Sequence, residues 1–195
     1  MKKKIIIVTG GAGFIGSNLI EYLIRQTNFD IISVDDYSTG TKKNHIKNSR
    51  IKYLVGDTSR IKDIIKINLN KISCLFHFGE FSRIYQSFAK FDQCYKSNTI
   101  GTQAVINFCL KNNIKLIYSA TSASLGNGGN DKNLSPYAFT KSKNLELLEN
   151  FKKWFNFKFE IVYFYNVYGP KQIKQGDMAT VIGIFEQKFL DKKPL

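Results

Sequence analysis

The 195-residue sequence predicts an α/β protein built on a doubly wound parallel sheet, and two observations support this fold class. First, short apolar β-branched runs such as Ile5 to Val8 alternate along the chain with amphipathic runs such as Leu19 to Ile24. Buried parallel strands are apolar on both faces, and connecting helices cover such sheets on both sides. Second, glycines follow the first apolar run directly, as at the first strand-to-helix turn of these sheets. We expect six or more strands with helices on both faces.

The order of the elements follows from this alternation. Strands are predicted near residues 4–9, 30–34, 51–55, 73–78, 115–119 and 158–165. Helices are predicted near residues 14–26, 59–69, 92–112, 136–155 and 178–190. The alternation stops after Asn166, so residues 1–170 are expected to form one domain and residues 171–195 to begin a further, incomplete region.

The glycine-rich segment after the first strand predicts a phosphate-binding turn. Gly10, Gly13 and Gly16 keep a three-residue interval, a variant of the dinucleotide-binding fingerprint. Gly10 allows the tight turn, Gly13 lets the backbone approach a pyrophosphate, and Gly16 lets the helix pack against the sheet. Phe14 and Ile15 begin a helix whose N-terminal N–H groups favour phosphates. A glycine turn without a ligand is the alternative, and the second strand favours the nucleotide site.

That second strand ends in acidic residues at the expected distance. Asp35 lies 19 residues after Gly16, where a carboxylate holds the hydroxyls of the adenosine ribose, and Asp36 follows it. A carboxylate at this place repels a 2′-phosphate, so the sequence predicts NAD rather than NADP. Lys42 and Lys43 can soften that preference.

The net charge of +14 raises the question of nucleic-acid binding, and the residue types argue against it. Of the 29 basic residues only four are Arg, at positions 25, 50, 60 and 83, and 25 are Lys. Phosphate forks and base edges are bound mainly by Arg, and the lysines are scattered rather than clustered. We expect no nucleic-acid partner, although the lysines can attract an anionic substrate at long range.

Cysteines and histidines indicate neither a disulfide framework nor a metal site. Cys74, Cys94 and Cys109 are odd in number and form no CxxC pair, and the chain has two histidines. No apolar run is long enough for a secretory signal or a membrane span. We therefore expect a protein of the reduced cytoplasm, with no metal and no membrane partner.

Two residues of a predicted helix, Tyr137 and Lys141, are placed for chemistry. Ser135 is the expected N-cap and Pro136 the first helical residue, so Tyr137 and Lys141 lie one turn apart on one face. A packed tyrosine beside a partly exposed lysine is the ordinary explanation of such a pair. The preceding strand, however, ends in the hydroxyl-rich run Tyr118 to Ser122. Ligands bind at the carboxyl ends of such strands, so this position favours a site.

Seven motifs occur in order along essentially the whole chain. They are Thr9–Gly16, Asp35, Gly56-Asp57, Asn98-x-x-Gly101-Thr102, Thr121 five residues before Gly126, Tyr137-x-x-x-Lys141 and Asn166-Val167-Tyr168-Gly169-Pro170. The ordered set is far more specific than any one member. It resembles the extended short-chain dehydrogenase/reductase family, the NAD-dependent nucleotide-sugar epimerases and dehydratases. The resemblance implies a Rossmann domain over residues 1–170 that binds NAD and holds the catalytic residues.

The resemblance also implies catalytic roles. It makes Tyr137 the acid/base, with Lys141 favouring its ionised form and holding the nicotinamide ribose, while Thr121 hydrogen-bonds the reacting sugar hydroxyl. A phenol ionises at about pH 10 in water, so it needs an adjacent cation to work near neutral pH. NAD⁺ takes a hydride from a sugar carbon as Tyr137 takes the hydroxyl proton. Return of the hydride to the other face inverts the centre.

Further binding residues follow from the same resemblance. Those expected along the cofactor are Asp57 and Thr58 beside the adenine, and Phe78, Gly79, Tyr137 and Lys141 in the cleft. Asn98 and Asn166, with Thr121, are expected toward the nucleotide-sugar substrate. A helix-surface role for Asn98 and a turn-forming role for Asn166 remain open.

A homodimer is expected through the helices near residues 92–112 and 136–155, again by resemblance. The apolar positions on these helices are Phe108, Cys109, Leu145 and Leu148. Burial of these side chains against the sheet of a single chain is the alternative.

The sequence departs from the family pattern at three places. The family usually has two alanines where this chain has Gly79-Glu80, which places a carboxylate near the cofactor cleft. Leu125 replaces the usual tyrosine before Gly126. The family also continues well beyond the position of Leu195 to build most of its substrate domain. We therefore expect a truncated or partial chain that keeps its reactive centre and turns over near background.

Several functions remain open. The leading one is an NAD-dependent epimerase of a nucleotide-activated sugar, similar to UDP-glucose/galactose 4-epimerases. A 4,6-dehydratase is disfavoured because Ser122-Ala123 follow Thr121, where dehydratases usually carry Asp-Glu. Met178-Ala179-Thr180 is a weak indication of a heptose-phosphate epimerase. An NAD-binding module without turnover is the alternative from another functional class.

Overall fold

The structure, a computed structural model, describes residues 4–194 and has the predicted six-stranded, doubly wound α/β fold. Residues 1–3 and 195, at the two ends of the predicted domains, lie outside the described part. The strands are β1 (Ile5–Thr9), β2 (Asp30–Asp35), β3 (Ile51–Val55), β4 (Ile72–His77), β5 (Lys115–Thr121) and β6 (Phe159–Phe164). All neighbours are parallel in the order β3-β2-β1-β4-β5-β6, so the strand order reverses between β1 and β4. Ligands bind at this switch point in Rossmann folds.

Seven helices are described in residues 4–194. They are α1 (Phe14–Gln26), α2 (Ile61–Ile64), α3 (Gln86–Ala89), α4 (Phe91–Tyr95), α5 (Thr102–Lys111), α6 (Pro136–Phe155) and α7 (Val181–Leu190). Helices α1 and α6 have the predicted bounds, and at α6 the local signals for the start are complete. At α6 the Ser135 hydroxyl accepts a hydrogen bond from the Ala138 N–H at 3.1 Å, and Pro136 occupies the first turn.

Two helix predictions were wrong in extent. The helix expected over 59–69 has only the four residues of α2, preceded by a 3₁₀ turn, Thr58–Arg60. Its second half is rich in β-branched isoleucines, which are weaker helix formers, and Ile65 is already extended. The helix expected from residue 178 begins at Val181 instead, because the Thr180 hydroxyl caps it by accepting from the Gly183 N–H at 3.0 Å.

The helix expected over 92–112 is interrupted. Helices α4 and α5 are joined by a wide π-helical turn, Lys96–Gly101, and the short helix α3 was not predicted at all. A Cβ on Gly101 would lie 2.4 Å from Thr58 Oγ1, so the turn brings the backbone close to that hydroxyl. Sequence periodicity does not predict this close approach, because the approach depends on how the helices pack on the sheet.

Two apolar layers hold the helices to the sheet. Alternate residues of β1 face opposite sides, so Ile6 and Val8 pack with Ile20 of α1, whereas Ile7 packs with Val105 of α5. The second layer also contains most of the apolar positions expected on a dimer surface. Phe108, Cys109 and Leu148 are buried there, and Leu145 packs against them. These four residues are therefore part of the core of one chain and do not support a dimer.

Exposed apolar side chains occur at other positions of the same helices. Phe91 and Tyr95 stack on α4 with ring centroids 5.7 Å apart, and both are exposed, as is Phe139 of α6. None of the helices within residues 4–194 has the length and apolar character needed to span a membrane.

Candidate active site

A cleft of about 400 Å³ opens at the carboxyl edge of the sheet, over the switch point between β1 and β4. This volume lies within the range of small-ligand sites. All the residues predicted to bind the cofactor or to catalyse the reaction line it. They are Gly10, Gly13, Phe14, Ile15, Gly16, Asp35, Asp36, Asp57, Thr58, Phe78, Gly79, Thr121, Tyr137 and Lys141.

Two residues predicted to face the substrate do not line this cleft. Asn98 is fully buried, and its amide forms a clamp on one neighbouring residue: Oδ1 accepts from the Phe81 N–H at 2.7 Å, and Nδ2 donates to the Phe81 carbonyl at 3.1 Å. Asn166 is exposed in the bend after β6, although Tyr165 and Val167 beside it line the cleft. Asn98 is thus buried behind Phe81 of the cleft wall and is not exposed on a helix surface.

Sequence reasoning missed several residues of the cleft wall. Arg83 lines it and donates from Nε and Nη2 to the Met178 carbonyl at 2.9 and 2.6 Å. Met178 and Thr180 complete the same wall just before α7. No local motif identifies Arg83, because its bond joins positions 95 apart in the chain, and Met178-Ala179-Thr180 was noted only as an indication of the substrate. Ser119 and Ala120, by contrast, follow from the polar carboxyl end of β5, which extends past its predicted limit.

The glycine turn has the shape that a dinucleotide requires. Gly10 has φ +69°, and a Cβ there would lie 2.6 Å from the Phe78 carbonyl oxygen. A Cβ on Gly16 would lie 2.2 Å from the Gly10 carbonyl oxygen, so the helix could not approach the turn. The N-cap of α1 is Gly13, which offers no side chain to the first helical N–H groups. The turn is tight, and the N–H groups at the start of α1 have no side-chain cap. Both features fit a bound pyrophosphate.

Asp35 is held by the main chain at the other side of the turn. Its Oδ2 accepts from the Ala12 N–H and its Oδ1 from the Tyr37 N–H, each at 2.8 Å. Burial raises the pKa of Asp35 above its usual range, although both N–H groups act in the opposite direction. Each carboxylate oxygen keeps a lone pair, so Asp35 can also accept the ribose hydroxyls expected of it.

Asp57 lines the end of the cleft where the adenine is expected. Its Oδ1 caps the turn that follows by accepting from the Ser59 N–H at 2.8 Å, and its Oδ2 lies 3.4 Å from the Lys96 ammonium. Burial opposes ionisation of Asp57, but the Ser59 hydrogen bonds and Lys96 outweigh it and lower its pKa.

Lys141 is buried at the opposite end of the cleft and is paired with Glu80. Its Nζ donates to Glu80 Oε2 and to the Ser119 carbonyl, and the two side chains are 4% and 2% exposed. The ammonium also lies 4.7 Å from the centroid of the Tyr118 ring, within the range of a cation–π contact. The carboxylate that the sequence placed near the cofactor cleft is therefore in direct contact with the predicted catalytic lysine.

A chain of hydrogen bonds links Glu80 to the glycine turn through His77. Thr9 Oγ1 accepts from the Phe78 and Gly79 N–H groups, so its own proton goes to His77 Nδ1 at 2.7 Å. His77 Nε2–H then donates to Thr102 Oγ1 at 3.0 Å, and Thr102 donates to Glu80 Oε1 at 2.8 Å. Complete burial lowers the pKa of His77 to about 4. The neutral imidazole fits these two hydrogen bonds, because it accepts at Nδ1 and donates from Nε2.

Tyr137 and Thr121 face the space between these two ends. Tyr137 is 8% exposed and packs with Phe81 and Cys94, and Met178 contacts the same cluster. The Thr121 hydroxyl accepts from the Ala123 N–H at 3.2 Å and lines the cleft from the end of β5. A phenol and a buried ammonium one helical turn apart, with a hydroxyl lining the same cleft, are a set of groups that can exchange a proton with a bound alcohol.

Comparison with known proteins agrees with this geometry. A family model described as the NAD dependent epimerase/dehydratase family matches residues 6–195. ADP-L-glycero-D-manno-heptose-6-epimerase of Brachyspira hyodysenteriae is 31% identical over 188 residues, which are 90% of this chain and 58% of that protein. The structure of UDP-glucose 4-epimerase with UDP-glucose from Thermotoga maritima is 27% identical, with a TM-score of 0.84 over 98% of this chain and 64% of that one.

A third similar protein is a UDP-N-acetylglucosamine 4-epimerase from Methanobrevibacter ruminantium, solved with UDP-N-acetylmuramic acid. It is 26% identical, with a TM-score of 0.84 over 99% of this chain and 64% of that one. This chain spans between 58% and 64% of the three proteins. The match confirms the resemblance over nearly all of the chain. The chain therefore belongs to the NAD-dependent epimerase/dehydratase family, whose cofactor is NAD.

Proposed function

We propose that this chain is the cofactor-binding and catalytic part of an NAD-dependent epimerase that acts on a nucleotide-activated sugar. Residues 1–170 form the Rossmann domain of this proposal, and residues 171–195 begin the substrate-binding region. One observation supports it above the others. Thr121, Tyr137 and Lys141, from β5 and α6, meet in the same cleft as the glycine turn and Asp35.

Different residues of the cleft bind different parts of the cofactor. The glycine turn and the start of α1 hold the pyrophosphate, Asp35 binds the adenosine ribose and Asp57 lies by the adenine. Lys141, at the other end, holds the nicotinamide ribose. When held by these residues, the cofactor would supply the hydride chemistry: acceptance of a hydride from a sugar carbon and its return to the opposite face.

The protein's own part in the chemistry is proton transfer. The Tyr137 phenolate takes the proton of the sugar hydroxyl and gives it back when the hydride returns. The Thr121 hydroxyl hydrogen-bonds the same sugar oxygen and orients it. The Lys141 ammonium, fixed one helical turn from Tyr137, favours the phenolate by its charge.

A UDP-hexose is the substrate class that we favour, because a UDP-glucose 4-epimerase shares this fold at 27% identity. The heptose-phosphate epimerases stay as a second candidate, because one of them is 31% identical. A 4,6-dehydratase is less favoured: Thr121 is followed by the short turn Ser122–Ser124, which carries no carboxylate. Turnover assays with a UDP-hexose and an ADP-heptose separate the first two.

The replacement Tyr137→Phe tests the proposal. It should lower turnover by about two to four orders of magnitude, the usual contribution of a general acid/base, and leave NAD affinity nearly unchanged. The assay uses the 195-residue chain, and the full gene product where that is longer. Tyr22→Phe on α1, which is 62% exposed, is the matched control and should behave as wild type. Wild-type turnover in Tyr137→Phe would contradict the assignment of Tyr137.

A NAD-binding module without turnover remains the alternative function. It predicts NAD binding in every variant and no epimerisation even by the full gene product. The homodimer and the cytoplasmic location remain predictions, and the exposed rings of Phe91, Tyr95 and Phe139 are the candidate contact surface for the dimer.

A further inference from the structure

Glu80 is a buried carboxylate whose oxygens are all engaged by this chain. Its Oε1 accepts from Thr102 Oγ1 at 2.8 Å and from the Tyr118 hydroxyl at 3.1 Å, and its Oε2 accepts from Lys141 Nζ. Burial, reinforced by the Glu80 charge, raises the pKa of Tyr118 well above its usual value, so the phenol stays a donor. Every group that contacts the carboxylate thus donates to it, which is the environment of an ionised acid.

The donors come from three separate elements and fix the carboxylate firmly. Thr102 begins α5, Tyr118 is in β5 and Lys141 is in α6. Asn144, one turn after Lys141, supports the arrangement by donating to the Tyr118 hydroxyl at 3.1 Å and to the Asn98 carbonyl at 2.6 Å. An ionised group at 2% exposure persists only with such complete pairing. The arrangement therefore defines one position for Glu80, and through it one position for Lys141.

We propose that Glu80 is a positioning residue of the reaction, which holds the Lys141 ammonium in place beside Tyr137 and offsets part of its charge. The proposal rests on the proposed function, because it concerns how Tyr137 is tuned. Two of the three N–H groups of Lys141 go to Glu80 and to the Ser119 carbonyl. The third remains for the Ser119 hydroxyl at 3.3 Å or for a ligand in the cleft.

The charge of Glu80 matters for the reaction because Tyr137 lies near charged groups of both signs. Lys141 is one turn along the same helix, and the Arg83 guanidinium interacts with Tyr137 from the segment before α3. Tyr118 faces it from β5 and Cys94 from α4. Lys141 and Arg83 are cations, and Glu80 is the negative charge that is paired with Lys141. The pH range of proton exchange then depends on the pair and not on Lys141 alone.

Glu80→Gln tests this in the pH dependence of turnover, measured on the same enzyme as Tyr137→Phe. Without the carboxylate, Lys141 favours the phenolate more strongly, so the acid limb should move to lower pH by about one unit. The buried ammonium also loses its partner and releases its proton more readily, so the alkaline limb should move in the same direction. If Glu80 had only a structural role, its replacement would lower the rate by the same factor at every pH. Acid and alkaline limbs that stay at their wild-type pH would overturn the proposal.

Glu146→Gln on α6 is the matched control, because it removes a carboxylate from an exposed pair with Lys143 on the helix that carries Tyr137. Its pH limbs should coincide with those of wild type. A control that shifted as much as Glu80→Gln would assign the effect to net charge and overturn the proposal.

A second measurement does not depend on turnover, and so separates this proposal from the proposed function. With lysine labelled at Nζ by a heavy nitrogen isotope, the NMR signal of the buried Lys141 ammonium should exchange slowly with water in the wild type. Lys141→Arg identifies that signal. Glu80→Asp keeps the charge but shortens the side chain, so it should fold where Glu80→Gln fails. Loss of slow exchange in a folded Glu80 variant supports the positioning role, and unchanged slow exchange overturns it, whatever Tyr137→Phe does.

Discussion

Two buried carboxylates lie on either side of the switch point of the sheet, Asp35 at the end of β2 and Glu80 after β4, and they are held in different ways. Asp35 is held by two main-chain N–H groups, and no cation within residues 4–194 forms a salt bridge with it. Glu80 is held by side chains from three elements and is in contact with Lys141. The two main-chain hydrogen bonds leave lone pairs of Asp35 for the hydroxyls of a ligand. The side-chain donors around Glu80, by contrast, pair its carboxylate with other residues of the protein. One carboxylate thus serves binding and the other serves positioning.

The largest expected effect comes from removing the cation on the Glu80 side. Lys141→Met leaves a buried carboxylate unpaired and should lower the free energy of unfolding by about 3–5 kcal/mol. On the other side, Asp35→Asn replaces one oxygen that accepts a main-chain N–H with an amide NH₂ group, which cannot accept it. This change should lower the free energy of unfolding by only about 1 kcal/mol. Urea unfolding monitored by circular dichroism measures both.

The double variant Lys141→Met/Glu80→Gln is the control for this pair of experiments. It removes the unpaired charge while keeping an acceptor for Thr102 and Tyr118, so part of the lost stability should return. Equal costs for Lys141→Met and Asp35→Asn would show that the two carboxylates are not held differently.

The next effect concerns His77, which joins the two sides through Thr9 and Thr102. Its pKa is lowered to about 4 by burial. The unfolded chain takes up the proton below about pH 6.5 and the folded chain does not, so stability falls as the pH drops from there toward about pH 4. The His77 contribution to this fall should approach about 3 kcal/mol.

His77→Gln keeps polar atoms at this position but cannot be protonated. Unfolding free energies of both proteins at several pH values between 7.5 and 4 isolate the histidine. The variant should lose less stability on acidification than the wild type. Parallel pH dependences would mean that His77 is not neutral and buried in the fold.

Local sequence patterns predicted the glycine turn and the position of Asp35, and both line the cleft. The apolar run before Gly10, the glycine interval and the distance to Asp35 are all short-range signals, and the two N–H groups that hold Asp35 belong to the main chain. Tyr137 and Lys141 were singled out by the resemblance to the family, and the complete start of α6 predicted that they lie one turn apart on one face.

The rest depends on contacts between distant segments, which no local pattern records. Asn98 was expected to face the substrate, but its amide clamps Phe81, which is 17 residues earlier in the chain. Glu80 was noticed only as a departure from the family pattern, because its donors lie 22 to 64 residues away. Arg83 carried no signal, since its partner Met178 precedes α7 by sequence and reaches the cleft only in the folded chain.

Calorimetric titration of the purified chain with NAD⁺ and with NADP⁺ tests the central claim most directly, that this cleft binds NAD through the carboxylate of Asp35. The account predicts tighter binding of NAD⁺ than of NADP⁺, because Asp35 accepts ribose hydroxyls and repels a 2′-phosphate. Asp35→Ala should weaken NAD⁺ binding by about 1.5–3 kcal/mol, the scale of hydrogen bonds to a charged group. Equal or tighter binding of NADP⁺ by the wild type would contradict the claim.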